Sequence, residues 1–325
     1  MAAIYAYLMR MPRLAANPLP GRRMILQQLS LLRTGALPDQ DSPSPRFRST
    51  AEVVRSLLRE ARNGGTRPKP AFQADVDQGA LRVASYNVHK CVGTDGKFDP
   101  ARIIAVVAEL GADVVALQEV DRRFGRRVGL LDTTAIERET DLVPLPVSEL
   151  PDGLGWHGNA LLVRRGTAAR LRRLALPGAE PRGAVLAELE LPHIGAPLRV
   201  VAAHFGLLRR CRTRQAAAIL SAVAKGAPMP TLMMGDLNEW RPGPRSALRA
   251  LEPLFGQVVL GPPSFPSRVP VLALDRILGC PQLQLGEVEV HDSRLARVAS
   301  DHLPLKAWVT LRTDAADAVP LNRAA

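Results

Sequence analysis

An Asp and an Asn stand two residues apart in the stretch MMGDLNEW (residues 233–240), directly after the apolar run PTLMM. Side chains two residues apart point the same way along a strand, and they converge on one point if the strand ends in a tight turn. The pattern places a carboxylate and a carboxamide side by side at the end of a buried strand. Gly-Asp and Asn-Glu pairs are also ordinary turn formers, so this stretch alone favours a structural turn.

Polar side chains of similar kinds also stand at the ends of other predicted strands, within one apolar run (Asp275) and just before the last strand (Asp301 and His302). Burying an acid or an amide at the edge of a core costs free energy unless a partner is present. Carboxylate and amide oxygens suit Mg²⁺, whereas zinc would require more His or Cys than is grouped here. A hard cation beside two imidazoles and an Asp/Asn pair could hydrolyse a phosphate ester. The polar residues in question are Asn87, Glu119, His204, Asp236, Asn238, Asp275, Asp301 and His302.

The elements that must position these residues follow one another in regular alternation from residue 81 onward. LRVASYNV, ADVVALQEV, GNALLVRR, AVLAELEL, PLRVVAAHF, TLMMGDLN, LALDRILG and LPLKAWVTL are predicted strands. DPARIIAVVAELG, RTRQAAAILSAVA and SALRALEPL are predicted helices, and an irregular segment spans about residues 122–157. Strands with interspersed helices predict one α/β domain with mixed sheets.

The amino-acid composition limits the classes of protein to which the chain can belong. The chain has 325 residues and a formal net charge of +12, and 46% of its residues are hydrophobic. This charge indicates either attraction to phosphate groups or a general richness in Arg, and it does not locate a site. The three Cys form no spaced pairs, and no apolar run is long enough to span a bilayer. These features favour a cytoplasmic protein.

The first 80 residues differ from the rest of the chain. They carry 12 basic and 6 acidic side chains, and residues 1–38 contain no acid. We predict a basic N-terminal extension over 1–80, partly disordered, with a short helix at TAEVVRSLLREAR and a Pro/Ser-rich linker before it. Such a segment could also contact an anionic membrane peripherally. Residues 313–325 are predicted to be a disordered tail.

Seven segments, taken in order, resemble the endonuclease/exonuclease/phosphatase superfamily, which has the DNase I-like fold. They are SYNVHK, LQEVD, HGNALLVRR, AAHFGL, MGDLNEW, LDRIL and SDHLPL. The resemblance implies a catalytic domain over 81–312 and a four-layer α/β sandwich, in which two mixed β-sheets pack face to face with helices outside. It also implies a metal-dependent phosphoric ester hydrolase that uses Mg²⁺, with Mn²⁺ as an alternative ion.

The resemblance assigns roles to individual residues. Glu119 resembles the principal metal ligand, with Asn87 and Asp301 completing the metal side. Asp236 resembles the residue that aligns or activates the attacking water, and Asn238 one that hydrogen-bonds the phosphate. His302 resembles the imidazole that stabilises the developing charge, held protonated by Asp275, and His204 resembles a second histidine found in the nuclease and sphingomyelinase branches.

Further polar residues near these motifs are candidate substrate contacts. Asn159 and Arg182 precede predicted strands, and His89 and Lys90 follow the first strand. The basic cluster LRRCRTRQ (208–215) could bind phosphates beyond the scissile one or begin a solvated helix.

The substrate remains open at the level of sequence. Abasic-site endonucleases typically continue the first Asn with Gly and Arg, whereas this chain continues VHKCVGTDGKF, which resembles an uncharacterised bacterial branch. We expect a phosphodiesterase acting on a lipid head group or small ester. The alternatives are a DNA or RNA nuclease, for which the low aromatic content of 4% disfavours single-strand binding, and a catalytically silent phosphate-binding module. The oligomeric state is not predicted.

Overall fold

The computed structural model describes residues 79–122, 125–191 and 194–312. The predicted N-terminal extension and tail therefore lie outside the described residues, apart from residues 79 and 80. Twelve strands are present in the described part. They are β1 (Leu81–Asn87), β2 (Val114–Gln118), β3 (Leu142–Pro144), β4 (Ala160–Arg164), β5 (Ala168–Leu176), β6 (Arg182–Glu190), β7 (Leu198–His204), β8 (Thr231–Asp236), β9 (Asp275–Gly279), β10 (Leu283–Leu285), β11 (Glu289–Val290) and β12 (Leu305–Leu311).

The described helices are few and lie between strands. They are α1 (Pro100–Leu110), α2 (Thr133–Thr140), α3 (Arg209–Ala224), α4 (Glu252–Phe255) and α5 (Ala296–Ala299), with 3₁₀ turns at His89–Cys91, Gly243–Arg245 and Ala247–Leu251. The sequence SALRALEPL, predicted as one helix, forms the last of these 3₁₀ turns followed by α4. None of the helices in the described ranges is both long and apolar enough to cross a membrane.

The strands form two mixed sheets. One sheet has the order β10-β12-β1-β2-β4-β3, with β11 also paired to β12, and the other has the order β5-β6-β7-β8-β9. Each sheet contains one parallel pair, β1 with β2 and β7 with β8, connected through α1 and α3 respectively. Parallel neighbours need such crossovers, and they bring their carboxyl ends to one edge of the sheet.

Alternate side chains of the strands enter two different cores. In β1, Val83 packs in the core shared by the two sheets, together with Val201 and Met233 of the second sheet. Ala84 and Tyr86 point the other way and pack with Ile103 of α1 and its neighbours. The layers therefore run helix, sheet, sheet, helix, which confirms the predicted four-layer α/β sandwich.

Local sequence explains where α1 begins and ends. The Asp99 side chain caps its first turn by accepting a hydrogen bond from the Arg102 N–H at 3.0 Å, and Pro100 occupies the first helical position. Gly111 ends the helix in the left-handed conformation, at φ 54°. These signals were visible in the sequence, and the predicted helix is confirmed.

One long strand was not predicted. β5 carries the sequence AARLRRLAL, and most of its side chains are exposed. It is the edge strand of the second sheet and pairs with β6 over nine residues, from Ala168 to Leu176. Because charged side chains on both faces interrupt the apolar alternation, the pattern gave no strand signal; such charges are common on sheet edges.

Gly235 is required by the close approach of β8 to β7. Its φ is 151°, and a Cβ at this position would lie 1.8 Å from the Ala203 carbonyl oxygen. We expect Gly235→Ala to lower the free energy of unfolding by about 3 kcal/mol or more, because backbone must move to admit a methyl group. Urea unfolding measures the change.

Gly166→Ala is the matched control, because Gly166 also has a positive φ, of 83°, but has nothing within 4 Å of an added Cβ. Its expected cost is about 1–2 kcal/mol, from the backbone conformation alone. Equal losses in the two variants would show that steric contact with β7 is not what selects glycine at position 235.

Candidate active site

Strand ends from both sheets bring the predicted catalytic residues together. β1 ends at Asn87, and Glu119 follows β2 in the left-handed conformation, at φ 61°. In the second sheet, His204 lies opposite Asp236 across the β7–β8 pair, and Asp236 lies opposite Asp275 across the β8–β9 pair. Three of the predicted residues are thus direct neighbours on adjacent strands.

Asp236 is the centre of this group of side chains. One carboxylate oxygen accepts a hydrogen bond from the Asn87 amide at 3.0 Å and lies 3.3 Å from His204 Nε2 and 3.8 Å from His302 Nε2. The other oxygen accepts a hydrogen bond from the Asn238 backbone N–H at 3.0 Å. Burial raises the pKa of Asp236 to about 6, against the opposing effect of His302.

His302 forms a buried dyad with Asp275. Its Nδ1 lies 2.8 Å from a carboxylate oxygen of Asp275, and the same oxygen accepts a hydrogen bond from the Ser264 hydroxyl at 2.5 Å. Burial lowers the pKa of His302, but the negative charges of Asp275 and Asp236 outweigh burial and raise it to about 10. The imidazole is therefore protonated at neutral pH, with Nδ1–H donating to Asp275 and Nε2–H directed toward Asp236.

His204 is held in the opposite charge state. Arg182 Nη1 donates a hydrogen bond to His204 Nδ1 at 3.0 Å, and the same guanidinium pairs with Glu180 at 2.9 Å. Burial, followed by the charge of Arg182, lowers the pKa of His204 well below its usual value. Because Nδ1 accepts from an arginine, the neutral ring carries its proton on Nε2, which faces Asp236.

The Asp236, Asp275 and His302 side chains offer ligand atoms that all lie within 4.8 Å of one another. A cation there would either have to displace the proton that His302 donates to Asp275 or lie next to the positive charge of the imidazolium. The charge state favours a hydrogen-bonded network over a metal site at this cluster.

Glu119 offers a better place for a cation. Its carboxylate is paired with the Lys90 ammonium group, so this carboxylate already holds a positive charge. Burial works against ionisation of Glu119, but the neighbouring His204 ring and the ammonium group of Lys90, which carries the positive charge of the two, outweigh burial and lower the Glu119 pKa to about 2. An ionised carboxylate beside a cleft matches the donor chemistry of Mg²⁺.

Asn87 and Asp301, the other predicted metal ligands, are connected to each other through two neighbours. The Ser300 hydroxyl donates to the Asn87 carbonyl oxygen at 2.7 Å and lies 3.4 Å from an Asp301 carboxylate oxygen. His89 donates its N–H to Asn87 Oδ1 at 3.0 Å, and its Nδ1 lies 3.8 Å from Asp301. Carboxylate and amide oxygens of this kind fit a hard divalent ion.

The predicted substrate contacts have different surroundings. Lys90 and Arg182 line a cleft together with Glu119 and His204. Asn159 is fully buried, and its amide nitrogen donates to the Gly183 carbonyl at 3.0 Å, so it fixes the loop before β4 against β6. His89 is partly exposed, and its ring contacts the Val92 carbonyl at 2.9 Å.

Asn238 is placed by the turn that follows β8. Its φ is 52°, and its amide nitrogen donates one hydrogen bond to the Phe205 carbonyl at 3.0 Å. The amide retains a second N–H. The turn therefore orients Asn238 relative to the strand that ends in His204, and Asp236 accepts its backbone N–H.

Several residues of this region were not singled out from the sequence. Ser264 and Phe265 contact the His302–Asp275 dyad, the Phe265 ring lying 4.8 Å from the His302 ring centroid. Asp121, Arg122, Arg127 and His157 line the same cleft as Glu119. All of them lie in irregular segments, where periodicity gives no signal.

The basic cluster 208–215 contributes a structural arginine. Arg212 is fully buried in α3 and pairs with the equally buried Glu239 at 3.1 Å, and it also donates to the Leu207 carbonyl at 2.6 Å. Glu239 accepts backbone N–H groups from Arg241 and Ala247. The pair connects α3 to the loops that follow His204 and Asn238.

We expect Arg212→Met to lower the free energy of unfolding by about 3 kcal/mol, because Glu239 loses its fully buried partner and keeps only the half-buried Arg241, at 3.6 Å. Urea unfolding measures this, with Arg210→Met as a control at an exposed neighbour in α3. The double variant Arg212→Met/Glu239→Gln should recover part of the loss. A double variant as unstable as the sum of the two single variants would contradict the coupling.

Comparisons with known proteins agree with this geometry. The sequence model described as the Endonuclease/Exonuclease/phosphatase family matches residues 84–302. The chain belongs to this family. It is 28% identical over 254 residues to "Uncharacterized protein YbhP" of Escherichia coli (strain K12), an alignment that covers 73% of this chain and 98% of that protein.

Solved structures share the fold. The endonuclease/exonuclease/phosphatase from Beutenbergia cavernae DSM 12333 aligns with a TM-score of 0.55 and 21% identity over 72% of both chains. The mannosyl-6-phosphatase Bt3783 of Bacteroides thetaiotaomicron VPI-5482 aligns with a TM-score of 0.56 and 16% identity, over 71% of this chain and all of that one. The resemblance stated from the seven sequence segments is thereby confirmed at the level of family and fold.

Proposed function

We propose that this protein is a divalent-metal-dependent phosphodiesterase that hydrolyses its substrate by in-line attack of water. The observation that carries the proposal is the arrangement around Asp236. A carboxylate with a raised pKa lies between a neutral imidazole and a protonated one, at 3.3 and 3.8 Å. Hydrolysis of a phosphate ester needs a base or orienting group for water and a donor for the phosphoryl oxygens at the same place.

Each residue then has a defined task. Asp236 orients the attacking water and accepts its proton. His302, kept protonated by Asp275, donates from Nε2 to the phosphoryl oxygens as negative charge develops. His204 donates from its own Nε2, and the free N–H of Asn238 binds a phosphoryl oxygen.

Glu119, with Asn87 and Asp301, would hold the metal ion, for which Mg²⁺ is the first choice and Mn²⁺ the alternative. When bound, the ion supplies charge compensation at a non-bridging phosphoryl oxygen. Lys90 pairs with Glu119 and lines the same cleft, so with a cation on Glu119 it would be available to bind the substrate phosphate. Arg182 keeps His204 neutral and correctly protonated.

The substrate class we propose is a lipid head group or small phosphodiester. The basic side chains that line the cleft beside Glu119 and His204 support a phosphate ester as the substrate; they are Lys90, Arg122, Arg127 and Arg182. The nuclease alternative is supported by the net charge of +12, which would attract any polyanion. The relatives do not decide between the two, because the mannosyl-6-phosphatase among them is only 16% identical to this chain.

The proposal is tested by hydrolysis of bis-p-nitrophenyl phosphate with Mg²⁺ or with a chelator. We compare the native protein, His302→Ala and the control His291→Ala, since His291 pairs with Glu109 away from the cleft. Mg²⁺-dependent turnover that His302→Ala abolishes and His291→Ala retains is expected. Turnover that continues with the chelator would contradict the proposal. Equal turnover rates in His302→Ala and His291→Ala would also contradict it. Supercoiled plasmid and vesicles of anionic phospholipid, tested beside it, separate nuclease from lipid head-group activity.

A further inference from the structure

A second arginine–histidine pair borders the same cleft. Arg127 Nη1 donates to His157 Nδ1 at 3.1 Å, just as Arg182 donates to His204 at 3.0 Å. Burial, followed by the charge of Arg127, lowers the pKa of His157. The neutral ring therefore accepts from the arginine and helps to fix its guanidinium.

His157 is itself held firmly. Its backbone is in the left-handed conformation, at φ 49°, and its ring stacks edge-on against Trp156 at 4.7 Å. Gly183, directly after Arg182, makes room for this ring, because a Cβ there would lie 2.9 Å from His157. Asn159 connects the same loop to Gly183. The fold thus places His157 beside β6.

Unlike Arg126 and Arg182, Arg127 forms no ion pair in the part of the chain that the structure describes. Arg126 pairs with Asp152, and Arg182 pairs with Glu180. Within residues 79–122, 125–191 and 194–312, no ion pair neutralises the Arg127 guanidinium. Asp121 lines the same cleft, and burial raises its pKa while the charge of Arg127 opposes that rise. The Asp121 carboxylate is not within ion-pair distance of Arg127, and it accepts the backbone N–H groups of Leu154 and Gly155 at 3.0 and 3.1 Å. Arg127 therefore presents a half-buried positive charge to the cleft.

We propose that Arg127, positioned by His157, binds a second phosphate of the substrate beyond the scissile one. His204 lies beside Asp236, and Arg182, His204, Arg127 and His157 all line the same cleft. A planar guanidinium with free N–H groups suits a phosphate dianion. This inference rests on the proposed function and narrows it to esters that carry two phosphates.

Two sources could supply this chemistry. One is the next phosphate along an oligonucleotide, and the other is a ring phosphate on a polyphosphorylated lipid head group. The shared requirement is a second anionic phosphate.

The test compares two chromogenic esters, thymidine 5′-(p-nitrophenyl phosphate) and the same compound carrying a 3′-phosphate. For the native protein with Mg²⁺, we expect kcat/KM to be about tenfold higher for the 3′-phosphorylated ester. Arg127→Met should bring the ratio of the two kcat/KM values close to 1. The control Arg126→Met, a neighbour whose guanidinium is largely exposed and paired with Asp152, should keep the native ratio.

The variant His157→Asn tests whether His157 positions Arg127 or only stabilises the fold. It should raise KM for the 3′-phosphorylated ester, with less effect on kcat, and leave the circular dichroism spectrum unchanged. A native ratio of 1, or an unchanged ratio in Arg127→Met, would overturn the second-phosphate site and leave the proposed phosphodiesterase standing. Absence of turnover on both esters would overturn the proposed function and this site with it.

The source is resolved with two further substrates, a short single-stranded oligonucleotide and deacylated phosphatidylinositol 4-phosphate. The substrate whose hydrolysis falls in Arg127→Met but not in Arg126→Met identifies the source. Equal hydrolysis of each substrate by both variants would count against the site.

Discussion

Replacing Glu119 by Gln should abolish tight Mg²⁺ binding and lower kcat/KM by roughly 10³-fold, or about 4 kcal/mol of transition-state stabilisation. The change keeps the shape of the side chain and removes its charge. Glu119 is ionised, with a pKa of about 2, and already pairs with the ammonium group of Lys90. Its carboxylate therefore needs no loss of a proton to bind a cation. Isothermal titration with Mg²⁺ measures the binding, and hydrolysis of bis-p-nitrophenyl phosphate measures the rate.

Glu289→Gln is the matched control, because Glu289 also pairs with a lysine, Lys306, at 3.8 Å, but lies on the surface. Glu289→Gln should retain the native Mg²⁺ affinity and the native kcat/KM. Unchanged Mg²⁺ affinity in Glu119→Gln would place the ion elsewhere, and the cluster of Asp236, Asp275 and His302 would be the next candidate.

Asp275→Asn should lower kcat/KM by about 10²–10³-fold, because His302 loses the carboxylate that keeps it protonated and oriented. The two side chains are 2.8 Å apart and buried, so no solvent replaces the missing charge. The effect should appear mainly in kcat, since His302 acts as charge develops on the phosphoryl oxygens. Steady-state kinetics of the native protein and the variant provide the measurement.

The same substitution has a measurable effect on titration and stability in chelator-treated protein. The folded-state pKa of His302 is about 10, above its unfolded value of about 6.5. A raised histidine pKa stabilises the fold fully below about pH 6.5, and this contribution is lost as pH rises toward 10. Asp275→Asn should therefore be less stable than the native protein at pH 6, and the difference should narrow toward pH 10.

Glu109→Gln provides the comparison, since Glu109 lies 2.8 Å from His291 on the surface. It should leave activity and the pH dependence of stability nearly unchanged. A ¹H–¹⁵N NMR titration in which His302 has the same pKa in the native protein and in Asp275→Asn would contradict the role assigned to the dyad.

The fold could be predicted because its signals are local. The strands ending in Asn87, Glu119, His204 and Asp236 are apolar runs that stop at a polar residue. Helix α1 begins after a capping residue, Asp99, and ends at Gly111, and both signals can be recognised in the sequence. Two parallel pairs with helical crossovers bring these ends to the sheet edges, so the candidate site could be outlined in advance.

The parts that escaped prediction depend on contacts between distant segments. Ser264 meets Asp275 through a loop without regular structure, and Arg127 meets His157 across 30 residues. Arg212 carries the same sequence signal as its exposed neighbours and differs only in its burial against Glu239. Sequence patterns report the periodicity of an element, and they do not report which irregular segments fold over its ends.

The proposed reaction is attack of water at phosphorus, and isotope labelling tests it most directly. Bis-p-nitrophenyl phosphate is hydrolysed with Mg²⁺ in ¹⁸O-labelled water, and the masses of the products are measured by mass spectrometry. We predict one ¹⁸O atom in p-nitrophenyl phosphate and none in p-nitrophenol, with product formation lost in Glu119→Gln. Label in p-nitrophenol, or no product from the native protein with Mg²⁺, would contradict the proposed phosphodiesterase.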